Sequence, residues 1–193
     1  MTTNSYLVFF RKWLLLIILL SLLLAFFCLH LDRYLTLNIF EHYQTILQQW
    51  TTNHYSIAIS LYMMIFILLV ACATPSAAIL TCVGGFLFGT IAILYALFSI
   101  TVGSLILFLA VRTSIGAHIA TKSSGLIKKM EHGFQQNAFR YLIMLRLLPI
   151  CPSWMSNIAA GALNVPMKTF IFATLLGLLP VTCVLVEIGS YLD

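Results

Sequence analysis

Residues 74–89 read TPSAAILTCVGGFLFG, and they lie in the middle of a 57-residue run, Tyr55 to Val111, that contains no Asp, Glu, Lys or Arg. A helix crossing the hydrocarbon core of a bilayer needs about 20 apolar residues. The run is too long for two spans and too short for three with loops. Its flanks read as ordinary spans, Tyr55 to Ala73 and Thr90 to Val111. The middle piece is rich in Pro, Gly, Ser, Ala and Thr and is too short to cross comfortably. Backbone outside regular helix survives at membrane depth only when it is buried in protein or lines a wet cavity, because each unpaired amide costs several kcal/mol in hydrocarbon. A re-entrant hairpin over 74–89 satisfies these demands. Within it, the Gly85-x-x-x-Gly89 spacing permits close helix approach, for which plain packing is the ordinary reading.

The rest of the 193-residue chain agrees with a membrane setting: 62% of residues are hydrophobic, 8% are charged, and the mean hydropathy is +1.05. A soluble domain of this size needs far more polar surface. The expected fold is all-α, a polytopic helical membrane protein in one domain. An N-terminal span and polar loop occupy residues 1–54, and the transmembrane domain covers 55–190. The uncharged run Trp13 to Leu31 is longer than the roughly 7–15 apolar residues of a signal peptide, so a retained first span is expected. A last span runs from Thr169 to about Val186, with Pro180 inside it as a kink.

The net charge is +5, and nine of the ten bases lie at Arg11-Lys12, from Arg112 to Arg146, and at Lys168, flanking apolar segments. This distribution suits anionic lipid headgroups or topology setting and speaks against nucleic acid. Leu126, Met130 and Phe134 recur at helical spacing opposite Lys128, Lys129 and His132, which predicts a short amphipathic helix at the interface. His118 and His132 read as surface residues. Five scattered cysteines signal neither disulfides nor a metal site, and no cofactor is expected. There is no His-Glu-x-x-His, no nucleophile–base pair and no phosphate-cradling Gly loop, so neither an enzyme nor an ATP-driven pump is expected.

A second broken segment follows at residues 146–166, where Pro149, Pro152 and Pro166 exclude one continuous helix. Laid over the first, it repeats it. Pro75-Ser76 matches Pro152-Ser153 and Gly84 matches Gly161, at a common offset of 77; the same offset pairs Ala96 with Ala173 and Gly103 with Pro180. Each broken segment is followed by an apolar span. Interrupted segments at corresponding positions of two halves point to a transporter's binding site, with chance matching as the alternative.

Several polar residues stand out against this background. Arg146 lies in an apolar stretch, where mid-bilayer placement costs about 2.5–3.5 kcal/mol. It engages a lipid phosphate through its planar fork of donors, or it snorkels to the interface, or it pairs with Glu187. Glu187 is such a counter-ion or a proton carrier. Arg112 closes a span as a snorkelling anchor. Asn157 binds a headgroup or satisfies broken backbone.

Taken together, GGFLFGT at residues 84–90, Arg112, Arg146-Leu-Leu-Pro149-Ile-Cys-Pro152, Asn157, Ala160-Gly161 and Leu176-Gly177-Leu-Leu-Pro180 resemble the DedA-like or VTT-domain superfamily, also called the SNARE-associated Golgi protein family, over about residues 55–190. The resemblance implies two re-entrant hairpins facing each other from opposite leaflets as an inverted repeat. It also implies a lipid translocase or scramblase that moves phospholipid or polyprenyl phosphate. The path residues would be Pro75, Ser76, Gly84, Gly85, Gly89, Arg112, Arg146, Pro149, Pro152, Asn157, Gly161 and Glu187. The expected partners are membrane lipids with anionic or phosphate-bearing headgroups, a homo-oligomer is left open, and the expected address is a bacterial plasma membrane. Some bacterial relatives rely on carboxylates near the first hairpin for proton coupling. Here no Asp or Glu lies between Glu41 and Glu131. An ion-coupled solute transporter and a non-transporting scaffold are the competing readings. Charge counting raises one conflict: a cytoplasmic Arg11-Lys12, with Tyr55 to Ala73 as a span, would put the basic stretch 112–140 outside.

Overall fold

The computed structural model describes residues 48–114, 126–147 and 152–191. The expected first span at 13–31, part of the interfacial stretch, Pro149 and Cys151 lie outside these. Among the described residues there is helix and no strand. The principal helices are α1 (Tyr55–Ala71), α2 (Ala77–Phe88), α3 (Ala92–Ser114), α4 (Leu126–Leu147), α5 (Ser153–Ala162) and α6 (Met167–Ser190). Among the described residues, two helical runs are long and apolar enough to cross a bilayer, Ala77–Thr113 and Met167–Ser190. The first is interrupted. A single 3-10 turn at Gly89–Ile91 separates α2 from α3, and Gly89 adopts φ 63°, ψ −154°, a conformation open essentially to glycine alone. The expected helix contact at Gly89 is absent, since a Cβ there would meet nothing within 4 Å, whereas one on Gly85 would collide with the Val186 carbonyl on α6. Of the Gly85-x-x-x-Gly89 pair, one glycine packs and the other turns.

The turn in the first broken segment lies earlier than the sequence suggests. α1 ends in a Schellman motif: Ala73 N–H donates to Val70 O, Thr74 N–H donates to Leu69 O, and Ala73 is left-handed at φ 58°. Pro75 follows and cannot continue the helix. α2 then returns to where α1 began: Phe88 meets Tyr55 edge-on at 5.9 Å, Tyr62 at 5.4 Å and Tyr95, at the start of α3, at 5.8 Å. Residues 74–89 thus form one arm of a helical hairpin, and α1, expected as an ordinary span, is the other arm. α5 ends in the same way. Asn164 N–H donates to Gly161 O, Val165 N–H donates to Ala160 O, Asn164 has φ 54°, and Pro166 follows.

The interfacial helix and the arm leading into the second broken segment are joined in α4, which breaks at Asn137 (φ −161°, ψ 91°). Asn137 Oδ1 accepts from Arg140 N–H at 3.2 Å, so it caps a second helix from Ala138 to Leu147. The order arm, short helix, long helix thus occurs twice. Packing between the halves is reciprocal. α2 lies antiparallel on α6, where a Cβ on Gly85 would strike Val186 and one on Gly189 would strike Cys82; α5 lies on α3, with Gly161 against the Phe108 carbonyl. Within each half the arms close in the same manner, α1 on α3 at Gly103 and α4 on α6 at Gly177. Two cores result: one around Phe66 and Ala96 that takes in Leu178 and Val186, and one around Leu142 and Phe170 that takes in Phe108.

The turn chemistry predicts opposite signs for two substitutions. Ala73→Gly relieves a Cβ strained by the left-handed backbone and should raise stability by about 1 kcal/mol. Asn137→Ala removes a cap and should lower it by about 1 kcal/mol. Thermal unfolding in detergent measures both.

Candidate functional site

An arginine on α4, an asparagine on α5 and an aromatic ring on α6 meet where the two halves join. Arg146 is 5% exposed, and Asn157 is buried as well. Arg146 Nη2 donates to Asn157 Oδ1 at 2.8 Å, and the guanidinium lies over the Phe170 ring, 5.4 Å from its centroid. Its Nε and Nη1 have no partner among the described residues. Gly177 makes the approach feasible: a Cβ there would stand 3.0 Å from Arg146 Cβ and 3.3 Å from Cδ. Burying a charge costs several kcal/mol. One charge-assisted hydrogen bond offsets about 1.5–3 kcal/mol and a desolvated cation–π contact about 2 kcal/mol. Two donors of a buried cation are therefore without a partner among the described residues.

The aromatic contact continues. Phe170 stacks on Phe108 of α3 at 4.5 Å and 18°, and Arg112 lies over Phe108 at 5.7 Å. Arg112, Phe108, Phe170 and Arg146 therefore form one column across the halves, with a cation at each end. Arg112 Nη1 also reaches the Val165 carbonyl at 3.4 Å, just past the end of α5.

Beside Asn157 lies a cavity of about 150 Å³ lined by both turn regions. Thr74, Ala77 and Thr81 come from the first half's turn and short helix, Ser153 and Asn157 from the second's, and Ser104 and Thr182 from the middles of α3 and α6. Thr74 Oγ1 donates to Leu69 O at 2.7 Å and shares a 2.7 Å hydrogen bond with Ser76; Thr81 donates to Ala77 O. Ser104 is fully buried, and its hydroxyl has no partner among the described residues. Trp154 and Val181 line the cavity and are themselves exposed, so it opens on the outer surface of the bundle.

The residues singled out in the sequence separate into two groups. Arg146, Asn157 and, through the aromatic column, Arg112 come together; Gly161 seats α5 against α3 beside them. Ser76 is buried next to the cavity wall, while Pro75 and Pro152 are exposed at the starts of the short helices. Gly84 lies against the Tyr62 hydroxyl, which donates to Leu80 O at 3.1 Å, and with Gly85 and Gly89 it belongs to α2 and its turn. Glu187 accepts from Thr90 at 3.4 Å, past the far end of α2. It is not the counter-ion of Arg146. That side chain packs on Gly177, ten residues earlier on the same helix, about 15 Å away at 1.5 Å per residue. The alternative in which Arg146 snorkels to the interface also fails, because its head is buried. Sequence reasoning did not find Phe108, Phe170, Ser104 or Thr182. Phe170 lies 24 residues from Arg146 and Phe108 lies 38 away, and no periodicity connects them.

The VTT domain family matches residues 74–191. Among similar proteins are Transmembrane protein 41 homologs of Dictyostelium discoideum, 31% identical over 153 residues (75% of this chain, 44% of the relative), and of Caenorhabditis elegans, 27% identical over 152 residues (77% and 62%). Transmembrane protein 41B of Homo sapiens is 25% identical over 152 residues (76% and 52%). The chain thus spans about half the length of these relatives. No solved structure matches. The family match covers well over half of the chain and both halves of the site, and the chain is a membrane protein of the VTT domain family.

Proposed function

We propose that this protein is a lipid translocase that carries a phosphate-bearing headgroup between leaflets while the acyl tails remain in the bilayer. The observation that carries this reading is Arg146, a buried cation with two unused donors, bonded to Asn157 in the wall of a largely apolar cavity that carries a few hydroxyl and amide groups and opens to the bundle surface. A phosphate oxygen matches those donors in charge and geometry. No bond is made or broken in this process. The partners are membrane lipids, and the membrane is a bacterial plasma membrane as the sequence reading has it, although the relatives named above are eukaryotic.

The path would run between two re-entrant hairpins in an inverted repeat, α1 with α2 and the second part of α4 with α5. Three features support this. α2, about 18 Å long, is too short for a core of about 30 Å and leads back to the start of α1. Each short helix packs on the long last helix of the other half. The third is charge. If α1 is a hairpin arm and not a span, α3 becomes the next crossing after residues 13–31, and the stretch 112–140 falls on the same side as Arg11-Lys12. The conflict in the charge distribution then disappears.

Two experiments test the reading. In a cysteine-free background, Asn53→Cys and Ser123→Cys should label with a membrane-impermeant maleimide from opposite faces; labelling from one face would mean that α1 crosses. In proteoliposomes, Arg146→Ala should slow phosphate-lipid movement about tenfold or more, the loss of a charged hydrogen-bond partner. Phe170→Leu, which keeps apolar bulk but removes the ring, should slow it less, about fivefold. Unchanged transport by a folded Arg146→Ala protein would defeat the proposal.

A further inference from the structure

The cavity beside Asn157 differs in chemistry from a general headgroup pocket. Its polar lining is hydroxyl and amide: Thr74, Thr81, Ser104, Ser153, Asn157 and Thr182. No carboxylate lines it among the described residues. The chain has only five acidic residues, none lies between Glu41 and Glu131, and Glu187 is engaged with Thr90 past the far end of α2. A formal charge stands close by: the guanidinium of Arg146, hydrogen-bonded to the cavity's own Asn157. Ser104 is part of the wall, and Arg146 stands behind it, bonded to the lining residue Asn157. Ser104 is fully buried and unpartnered, and Arg146 keeps Nε and Nη1 unused. Unpaired polar atoms at such depth call for a ligand or water that supplies the missing bonds. The volume, about 150 Å³, is enough for several waters or a small polar group.

Resting on the translocase reading, we propose that this cavity holds the phosphate and hydroxyl groups of a lipid headgroup and discriminates against headgroups bearing an ammonium. Phosphate oxygens and polyol hydroxyls accept from Arg146, the Asn157 amide and the Ser104 hydroxyl, and a polyol hydroxyl also donates to Thr182 or Ser153. An ammonium has no such place. It lies only two carbons from its own phosphate, so it enters with it and comes close to a buried guanidinium in a medium that screens poorly. Its remaining favourable contact is Trp154, at the exposed mouth, where a cation–π interaction is worth little. The preferred cargo is thus a phosphatidylglycerol- or phosphatidate-like lipid, and choline and ethanolamine lipids are disfavoured.

The test uses the full chain in proteoliposomes that contain trace acyl-labelled fluorescent phosphatidylglycerol or phosphatidylcholine, with dithionite bleaching as the readout of leaflet exchange. Phosphatidylglycerol should cross about tenfold faster. Ser104→Ala with Thr182→Val should reduce that rate about fivefold and slow phosphatidylcholine less, so that the ratio of the two rates falls. Ser104→Ala removes a hydroxyl without a partner and so should not cost stability, and Thr182→Val keeps the shape of the side chain. Equal rates for the two lipids, a faster phosphatidylcholine rate, or a double variant that slows both alike would overturn the selectivity while leaving the translocase reading intact. If neither lipid moves, that reading falls and the inference with it. Uptake of radiolabelled inorganic phosphate by the same vesicles without lipid exchange would assign the cavity to a free oxyanion instead and overturn the lipid assignment.

Discussion

The burial of one guanidinium in an apolar bundle constrains everything near it. Arg146 cannot be dissolved away by water, and no carboxylate meets it among the described residues, so its charge is met by an amide oxygen at 2.8 Å and a ring face at 5.4 Å. Each demand recruits a different helix. Asn157 is available because Pro152 starts a new short helix there; Phe170 is held by its stack on Phe108; Gly177 leaves space for the arginine's aliphatic stem. These three supports come from α5, α6 and, through Phe108, the other half of the chain. A membrane protein that places its only fully buried described cation at such a junction ties the fold of the halves to the chemistry of the site.

The close contacts between helices are mostly made by glycine against backbone or a side-chain stem. Gly85 on Val186, Gly189 on Cys82, Gly161 on Phe108 and Gly103 on Ile67 bring main chains together where lipid offers no hydrophobic push. Dispersion and close fit carry association in that setting, so the absence of a Cβ matters more than any polar pair. The aromatic cluster of Tyr55, Tyr62, Phe88 and Tyr95 does a different job, closing the end of the first hairpin.

Much of this was legible in the sequence. The uncharged run, the proline-broken segments and the 77-residue offset led to helices of the right kind in the right order, and to Arg146 and Asn157 as residues of interest. The position of the turn was not legible. Thr74 and Pro75 were read as the start of a hairpin because composition changes there, yet the helix had already ended in hydrogen bonds from Ala73 and Thr74 back to Val70 and Leu69. An alanine in a left-handed conformation gives no signal in composition, as a glycine would. Of the alternatives that the sequence leaves open for Arg146, pairing with Glu187 fails on distance. Opposite charges on neighbouring segments invite pairing, but ten residues of helix separate Glu187 from the point where the arginine packs. Phe108 and Phe170 are two among fourteen phenylalanines, and only the tertiary fold distinguishes them.

The exchange of short helices between the halves also bears on how the chain is made. Gly85 fits against Val186, 101 positions later in synthesis. At roughly 5–20 residues per second, the ribosome needs about 5–20 s to supply that partner. For that interval the glycine face of α2 has only lipid or the insertion machinery to lie against, and a short helix with a kinked entry has little to hold it at depth. The first half is therefore a waiting structure, completed from behind when α6 emerges.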